Sequence, residues 1–127
     1  MPIKVMVTGV AGLIGNVVWH ALAAKPEKYE MYGLARRFHA SARISSGQLA
    51  AAPVDRWRLA DVGDFDATRR ALQGMDVVVH MAADPRGDAP WESVLRSNIV
   101  GAYNAYEACR LNGVKRIVYA STIMVSW

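Results

Sequence analysis

Three regularly spaced glycines near the amino terminus constrain the fold of this chain more than any other feature. Gly9, Gly12 and Gly15 follow the short apolar run Lys4–Thr8, which is typical of a β-strand. A helical pattern comes directly after them and predicts a helix over 13–24, with an apolar stripe formed by Ile14, Val17, Val18, Ala21 and Leu22. A strand, a glycine-rich turn and a helix in this order are typical of a phosphate-binding βα unit.

Each glycine of this turn has a separate physical task. Gly9 permits the sharp bend off the strand, Gly12 lets a pyrophosphate approach the backbone, and Gly15 lets the helix pack closely on the strand. The free amides that open the helix, at Leu13 and Ile14, would then bind phosphate with the help of the helix dipole. The alternative is a glycine-rich turn without a ligand, which its position between strand and helix disfavours.

The rest of the chain continues the alternation of strands and helices. Apolar runs predict further strands at 30–35, 54–59, 76–81 and 116–120. Helical patterns predict a short helix at 65–72 and a long one at 91–111, with an inner stripe of Leu95, Asn98, Ile99, Ala102, Ala105, Tyr106 and Cys109. This alternation predicts an α/β fold in one domain, residues 1–127: a Rossmann-type, doubly wound parallel sheet of about five strands.

Composition and charge exclude several classes of function. No apolar run approaches the ~20 residues that a membrane span needs, and no signal-peptide pattern opens the chain, so we expect a cytoplasmic protein without a membrane partner. Residues 25–60 hold seven basic side chains against three acidic ones. These charges are not interleaved with aromatic side chains, so we expect a phosphorylated small ligand and no nucleic acid. His20 and His39 have no partners at metal-ligand spacing, and no metal is expected.

Five segments in a fixed order carry a resemblance to a known family. Thr8–Gly15 has the spacing T-G-x-x-G-x-x-G, Asp61-Val62 follows the third strand, and three later segments read D-V-V-V-H-M-A-A (76–83), N-I-V-G (98–101) and G-V-K-R-I-V-Y-A-S-T (113–122). Together they resemble the amino-terminal part of the extended short-chain dehydrogenase/reductases, also called the NAD-dependent epimerase/dehydratase family. The short gap between Ala83 and Trp91 and the segment at 103–108 look most like the uronate dehydrogenase branch.

The resemblance implies an NAD(P) cofactor and a set of contacts for it. Asp61 and Val62 match the pair that binds the adenine in the family. Asn98 matches an organiser of the active site. Further cofactor-binding positions implied by the match are Met81, Ala82, Ala83, Asn98 and Ala120.

The resemblance also implies hydride transfer on a sugar or sugar acid, by an oxidoreductase, epimerase or dehydratase. Thr122 matches the family's Ser or Thr that hydrogen-bonds the substrate oxygen, and Ser121 lies beside it. No tyrosine here has a lysine four residues later, so we expect the family's Tyr-x-x-x-Lys pair and substrate region beyond residue 127. Hydride transfer by these 127 residues alone is not expected. The alternative is a stand-alone NAD(P)-binding or sensor module without catalysis.

The residues after the second strand bear on the choice of cofactor. Arg36 and Arg37 stand there, and no acidic residue occurs between Glu30 and Asp55. An acid would bind the 2′-hydroxyl of NAD, whereas an arginine can bind the 2′-phosphate of NADP bidentately. The sequence therefore favours NADP, although the uronate dehydrogenase branch carries an aspartate here. An alternative in which Arg36 stacks on the adenine, with NAD bound, stays open.

The same resemblance predicts exposed apolar surface. The family's sheet continues past the fifth strand, and a further helix covers one face. Without those elements the helix at 91–111 and the fifth strand should expose apolar side chains, which favours self-association of the chain. The other partners implied by the resemblance are a nicotinamide dinucleotide and a sugar-like substrate.

Overall fold

A computed structural model describes residues 1–38, 44 and 54–126 of the chain. Its five strands form one sheet in the order β3-β2-β1-β4-β5, with every neighbouring pair parallel. The strands are β1 (Ile3–Thr8), β2 (Tyr29–Ala35), β3 (Trp57–Leu59), β4 (Val77–His80) and β5 (Arg116–Tyr119). The predicted α/β fold with a five-stranded parallel sheet is confirmed. β3 is shorter than predicted because Val54–Arg56 forms a 3₁₀ turn in front of it.

Helices connect the strands as crossovers. They are α1 (Leu13–Ala23), α2 (Phe65–Ala71), and a long helix made of α3 (Trp91–Ser93), a π-helical segment (Val94–Val100) and α4 (Gly101–Leu111). α2 begins where the Asp64 carboxylate accepts a hydrogen bond from the Ala67 N–H at 3.0 Å, a typical N-cap. A 3₁₀ turn, Ile123–Ser126, follows β5. None of the helices in the described ranges is long and apolar enough to cross a membrane.

Alternate residues of the central strands feed two separate cores, as expected for a buried parallel sheet. On one face Met6, Leu34 and Val78 pack with side chains from α2 and α4. On the other face Val5 and Val7 pack with Trp19 of α1. The helices therefore cover both faces of the sheet, and the predicted doubly wound architecture is confirmed.

The apolar stripe predicted for α1 is wrong at three positions, because Ile14, Val17 and Ala21 are all exposed. Ile14 and Val17 are 62% and 60% exposed, whereas Gly15, Asn16 and Trp19 are buried. The glycine explains the rotation, because a Cβ at Gly15 would lie 2.2 Å from the Gly9 carbonyl oxygen. The helix turns its smallest face toward the loop at this point, and the bulkier side chains point away.

The stripe predicted for the long helix is also partly wrong. Ala105 and Cys109 are buried, but Leu95, Ile99 and Tyr106 are 37%, 51% and 46% exposed. The buried face of α4 consists of Gly101, Asn104, Ala105, Ala108 and Cys109. The π-helical segment winds more widely than an α-helix, so no single 3.6-residue period describes both halves of this helix. Burial of Cys109 raises the pKa of its thiol to about 11.

The exposed apolar surface expected from the sequence is present. It covers the outer side of the long helix and continues onto β5 and the turn after it. Its largest exposed members are Trp91, Ile99, Tyr103, Tyr106, Leu111, Val118, Tyr119 and Ile123. We call this surface the apolar flank.

Candidate functional site

A cavity of about 740 Å³ lies at the carboxyl ends of β1 and β4, and we call it the cleft. The strand order reverses direction at this point. β2 and β3 lie on one side of β1, whereas β4 and β5 lie on its other side. Ligands of doubly wound sheets bind at such a switch point. Most of the residues predicted to bind a cofactor line it: Gly9, Gly12, Leu13, Ile14, Gly15, Arg36, Arg37, Asp61, Val62, Met81, Ala82 and Ala83.

The glycine loop, residues 8–15, forms one wall of the cleft in a backbone shape that other residues could not adopt. Gly9 has φ of +67°, and a Cβ there would lie 2.8 Å from the backbone of Ala82. Gly15 is equally restricted by the Gly9 oxygen. Gly12 is the most open of the three, with that same oxygen 3.2 Å from an added Cβ. Strand ends, turn and helix start are therefore brought together only because these positions carry no side chain.

The start of α1 fits a phosphate group. Gly12 is its N-cap, and the first helical hydrogen bond runs from the Asn16 N–H to the Gly12 oxygen at 3.0 Å. The amides of Leu13, Ile14 and Gly15 precede that bond, and such first-turn amides have no partner within a helix. No acidic residue occurs in this turn to compete with an anion. A pyrophosphate of the expected cofactor would find donors and a favourable dipole here.

A buried threonine, which the sequence marked only as the first residue of the glycine motif, fixes the opposite wall. The Thr8 hydroxyl oxygen accepts hydrogen bonds from the N–H groups of Met81 and Ala82, both at 3.1 Å. With both lone pairs used, its proton points to Nδ1 of His80, 2.8 Å away. His80 is therefore neutral with its proton on Nε2. Burial lowers the pKa of this imidazole to about 4.

Asp61 carries a carboxylate at the side of the cleft near β2. One oxygen accepts the Gly63 N–H at 2.8 Å and the other accepts Nε of Arg96 at 3.1 Å. Burial raises the pKa of this carboxyl, but the two hydrogen bonds and the nearby charges of Arg96 and Arg36 outweigh it and hold the pKa below its ordinary value. The group is therefore ionised at neutral pH and can accept further hydrogen bonds.

The basic stretch at 25–60 divides between two places. Arg36 and Arg37 are exposed and line the cleft. Arg58 donates to the carbonyl oxygens of Ala71 and Gln73 at the end of α2, and its guanidinium lies over the ring of Tyr32. The stretch is thus not one continuous anion-binding patch among the described residues, and two of its arginines face the cleft. His39 and Arg43 lie outside the described residues.

The loop after β4 adds polar groups to the cleft. Asp84, Pro85 and Arg86 line the cleft, together with Ser93 and Ser97 of the long helix. Asp84 accepts two hydrogen bonds from the Arg86 guanidinium, at 2.9 and 2.7 Å, and one from the Ser93 hydroxyl at 2.5 Å. These contacts hold the pKa of Asp84 well below its ordinary range.

Four predicted site residues are not among the residues that line the cleft in the described part of the chain. Asn98 stands behind the cleft. Its side-chain oxygen accepts the backbone N–H of Asp84 at 2.7 Å, and its side-chain N–H donates to the backbone carbonyl oxygen of Asp84 at 3.0 Å. Ala120 extends the pairing of β5 by donating its N–H to the His80 oxygen. Ser121 and Thr122 are exposed at the start of the turn that follows β5. No cluster of metal-ligand side chains occurs within residues 1–38, 44 and 54–126.

Comparison with known proteins relates this geometry to a family. The model of the NAD dependent epimerase/dehydratase family matches residues 5–126. The chain is 37% identical over 119 residues to the L-arabinose 1-dehydrogenase (NAD(P)(+)) of Haloferax volcanii, covering 94% of this chain and 41% of that protein. It is 30% identical over 122 residues to the uronate dehydrogenase of Pseudomonas syringae pv. tomato, covering 94% and 39%.

Solved structures show the same relation. A mutant uronate dehydrogenase from Agrobacterium tumefaciens, complexed with NAD, superposes with a TM-score of 0.70 at 29% identity, over 96% of this chain and 42% of that one. The UDP-glucose 4-epimerase of Thermus thermophilus, in complex with NAD, gives 0.74 at 28% identity, over 94% and 38%. The chain thus spans well under half of the length of these relatives.

Proposed function

The chain belongs to the NAD-dependent epimerase/dehydratase family, and on that premise we propose that its cleft binds NAD(P) as the cofactor-binding part of an enzyme acting on a sugar or sugar acid. The observation that carries the proposal is the glycine loop. At Gly9 and Gly15 the backbone lies so close to Ala82 and to the Gly9 oxygen that no side chain fits, while Leu13, Ile14 and Gly15, whose amides open α1, line the cleft. The family resemblance expected from the sequence, with its similarity to uronate dehydrogenases, is confirmed.

Each wall of the cleft then has a part in holding the dinucleotide. NAD(P) supplies the hydride acceptor or donor, and the chain supplies binding and orientation. The amides of Leu13 to Gly15 bind the pyrophosphate, and the carboxylate of Asp61 accepts from the adenine. Met81 and Ala82, fixed by Thr8, would border the nicotinamide together with Ala83. Thr122 would hydrogen-bond the substrate oxygen, with Ser121 contributing contacts beside it. Asn98 fixes the backbone of Asp84, and Ala120 fixes the end of β5 on β4.

We further propose that NADP binds more tightly than NAD. The guanidinium groups of Arg36 and Arg37 line the cleft at the end of β2, where a Rossmann site reads the ribose. Either can pair with a 2′-phosphate. The charge of ionised Asp61 acts on Arg36 but is shared with Arg96, so the two arginines leave a net positive charge for a phosphate at this position.

Titration of the chain with NADP and with NAD tests both statements. Arg36→Asp should weaken the binding of NADP by about 100-fold or more and the binding of NAD by less than about threefold. Only NADP loses a charge-assisted pair and gains a charge repulsion. Lys25→Asp makes the same charge change on an exposed turn and is the matched control. Equal weakening of the two nucleotides would remove the preference for NADP, and no binding of either at millimolar levels would remove the proposed function.

The activity of a longer protein has its own test. A Tyr-x-x-x-Lys motif in the coding sequence after residue 127 would support the enzyme. A stop codon at that point would support the stand-alone binding module. The cytoplasmic location expected from the sequence stays a prediction.

We also propose that the apolar flank joins two copies of this chain. Tyr103 and Ile99 are 66% and 51% exposed there, and Tyr106 of the same helix packs its ring 5.7 Å from that of Tyr119 of β5. Contiguous apolar surface of this kind marks association sites. Sedimentation velocity should show a dimer, and Tyr103→Lys should lower the dimer population. Lys28→Glu, just before β2 and therefore toward the opposite end of the sheet from β5, should leave the dimer population unchanged. A monomer at all concentrations would contradict the proposal.

A further inference from the structure

Arg96 contacts a cleft-lining residue, Asp61, from a distant element. It belongs to the π-helical segment Val94–Val100, yet its guanidinium meets Asp61, which follows β3. Its aliphatic stem lies across the backbone of Gly63, where an added Cβ would stand 2.5 Å from Arg96 Cγ and 2.8 Å from Nε. The contact therefore depends on a residue without a side chain at position 63, in addition to the ion pair itself.

The π-helical winding places three consecutive residues around one site. Arg96 holds Asp61, Ser97 lines the cleft, and Asn98 holds the backbone of Asp84. Successive side chains of an α-helix are separated by about 100°, so three of them spread over most of a turn. The wider π turn rotates less from one residue to the next, so Ser97 can line the cleft while Arg96 and Asn98 contact the cleft residues Asp61 and Asp84.

The Asp61 carboxylate keeps acceptor capacity beyond the contacts it already makes. Each oxygen has two lone pairs, and the Gly63 N–H and the Arg96 guanidinium use one on each side. The side chain is 33% exposed and lines the cleft, so the remaining lone pairs are open to a ligand. The two hydrogen bonds fix both oxygens, and therefore the plane of the carboxylate.

We propose that Arg96 is a positioning residue for the adenine of the bound dinucleotide, because it fixes the Asp61 carboxylate as the acceptor for the adenine 6-amino group. The inference rests on the proposed function. Arg96 touches neither the adenine nor the reacting atoms. It acts on recognition through Asp61, and it ties the adenine end of the cleft to the long helix.

The test compares adenine with hypoxanthine dinucleotides. Hypoxanthine carries a carbonyl oxygen where adenine carries its 6-amino group, so a fixed carboxylate there rejects it. The full chain should bind NADP at least about 10-fold tighter than its hypoxanthine analogue. Arg96→Met keeps an aliphatic stem on Gly63 but removes the guanidinium. It should weaken the binding of NADP about 10-fold while barely changing the affinity for the hypoxanthine analogue. The preference for adenine should shrink accordingly, and Arg96→Lys should restore part of it.

Two more variants separate positioning from a merely structural role. Gly63→Ala moves the Arg96 stem without removing any charge and should also reduce the preference for adenine. Arg110→Met breaks a similar exposed ion pair, with Glu107 on the same helix, and should leave both affinities unchanged. If Arg96→Met unfolds the chain, Gly63→Ala and Arg96→Lys still give the answer.

The outcomes are distinct. An unchanged preference for adenine in folded Arg96→Met and in Gly63→Ala overturns the role of Arg96 and leaves the proposed function standing. Equal binding of both analogues by the unmodified chain overturns the role of Asp61 as acceptor, and Arg96 falls with it. Absence of binding of any dinucleotide removes the proposed function and this inference together.

Discussion

β1 and β5 both end at the cleft edge of the sheet, but their surroundings differ. The last four residues of β1, Val5 to Thr8, are all buried, whereas Ile117 is the most protected residue of β5 and is only half-buried. β1 is paired with β2 and β4, while the described residues pair β5 with β4. The glycine loop after β1 is therefore fixed by packing on both faces, and Ser121 and Thr122 after β5 follow exposed backbone. The difference teaches that packing holds the glycine loop more firmly than the segment that follows β5.

The largest expected effect comes from the loop after β1. Gly15→Ala puts a Cβ 2.2 Å from the Gly9 oxygen, so α1 must move away from the loop. We expect a loss of roughly 1–3 kcal/mol in the free energy of unfolding and no measurable dinucleotide binding by calorimetry. Gly87→Ala, where an added Cβ meets nothing within 4 Å, is the control and should leave both quantities within error. Retained nucleotide affinity in Gly15→Ala would contradict the account of the loop.

A pH dependence should come from His80, which links the two strands. Its ring bonds to Thr8 of β1 and stacks on Tyr119 of β5 at 5.9 Å. Its pKa is about 4 in the folded chain, against 6.5 for an ordinary histidine, so the unfolded chain binds the proton first. The free energy of unfolding should therefore fall by up to about 3 kcal/mol as the pH drops from 6.5 to 4.

His80→Asn isolates that contribution. Its Oδ1 can replace Nδ1 as the acceptor for Thr8, and it does not titrate. The carboxyls with depressed pKa values, such as Asp61 and Asp76, titrate alike in both proteins and cancel in the difference. Denaturant unfolding at pH 7 and pH 4.5 gives the comparison. If the free energy of unfolding falls by the same amount between pH 7 and pH 4.5 in both proteins, His80 is not held neutral by burial.

The smallest effect should appear on β5 itself. Val79 and Val118 are partners in register on neighbouring strands, but they are 6% and 45% exposed. Val79→Ala should cost about 2 kcal/mol in the free energy of unfolding, and Val118→Ala no more than about 0.5 kcal/mol. Denaturant titrations at low protein concentration measure both. A cost for Val118→Ala that rises with concentration would show that a second copy covers the apolar flank; equal costs at low concentration would contradict the contrast between the strands.

The sequence predicted what depends on local pattern. The five strands and the cleft-lining positions of the glycine loop, Asp61 and Met81 followed from runs of apolar residues and from the resemblance, and the structure brings them together. Such features depend on residues close in sequence or on a fixed order of segments. The roles of these residues toward a cofactor stay predictions.

The remainder depends on contacts between distant segments. The outward rotation of Ile14 and Val17 is set by the approach of Gly15 to Gly9, which periodicity does not register. The π-helical segment shifted the face of the long helix and placed Arg96 on Asp61, 35 positions away. Thr8 gave a signal only as the first letter of the glycine motif, and its bonds to the end of β4 span more than 70 positions.

Backbone amide chemical shifts, recorded while NADP is added to the ¹⁵N-labelled chain, test the central claim most directly. The account predicts that the largest changes fall on the amides of Gly12 to Gly15, with a second group at Met81 to Ala83. Changes confined to the apolar flank or spread over the exposed lysines, with the amides of the glycine loop unmoved at saturating NADP, would contradict it.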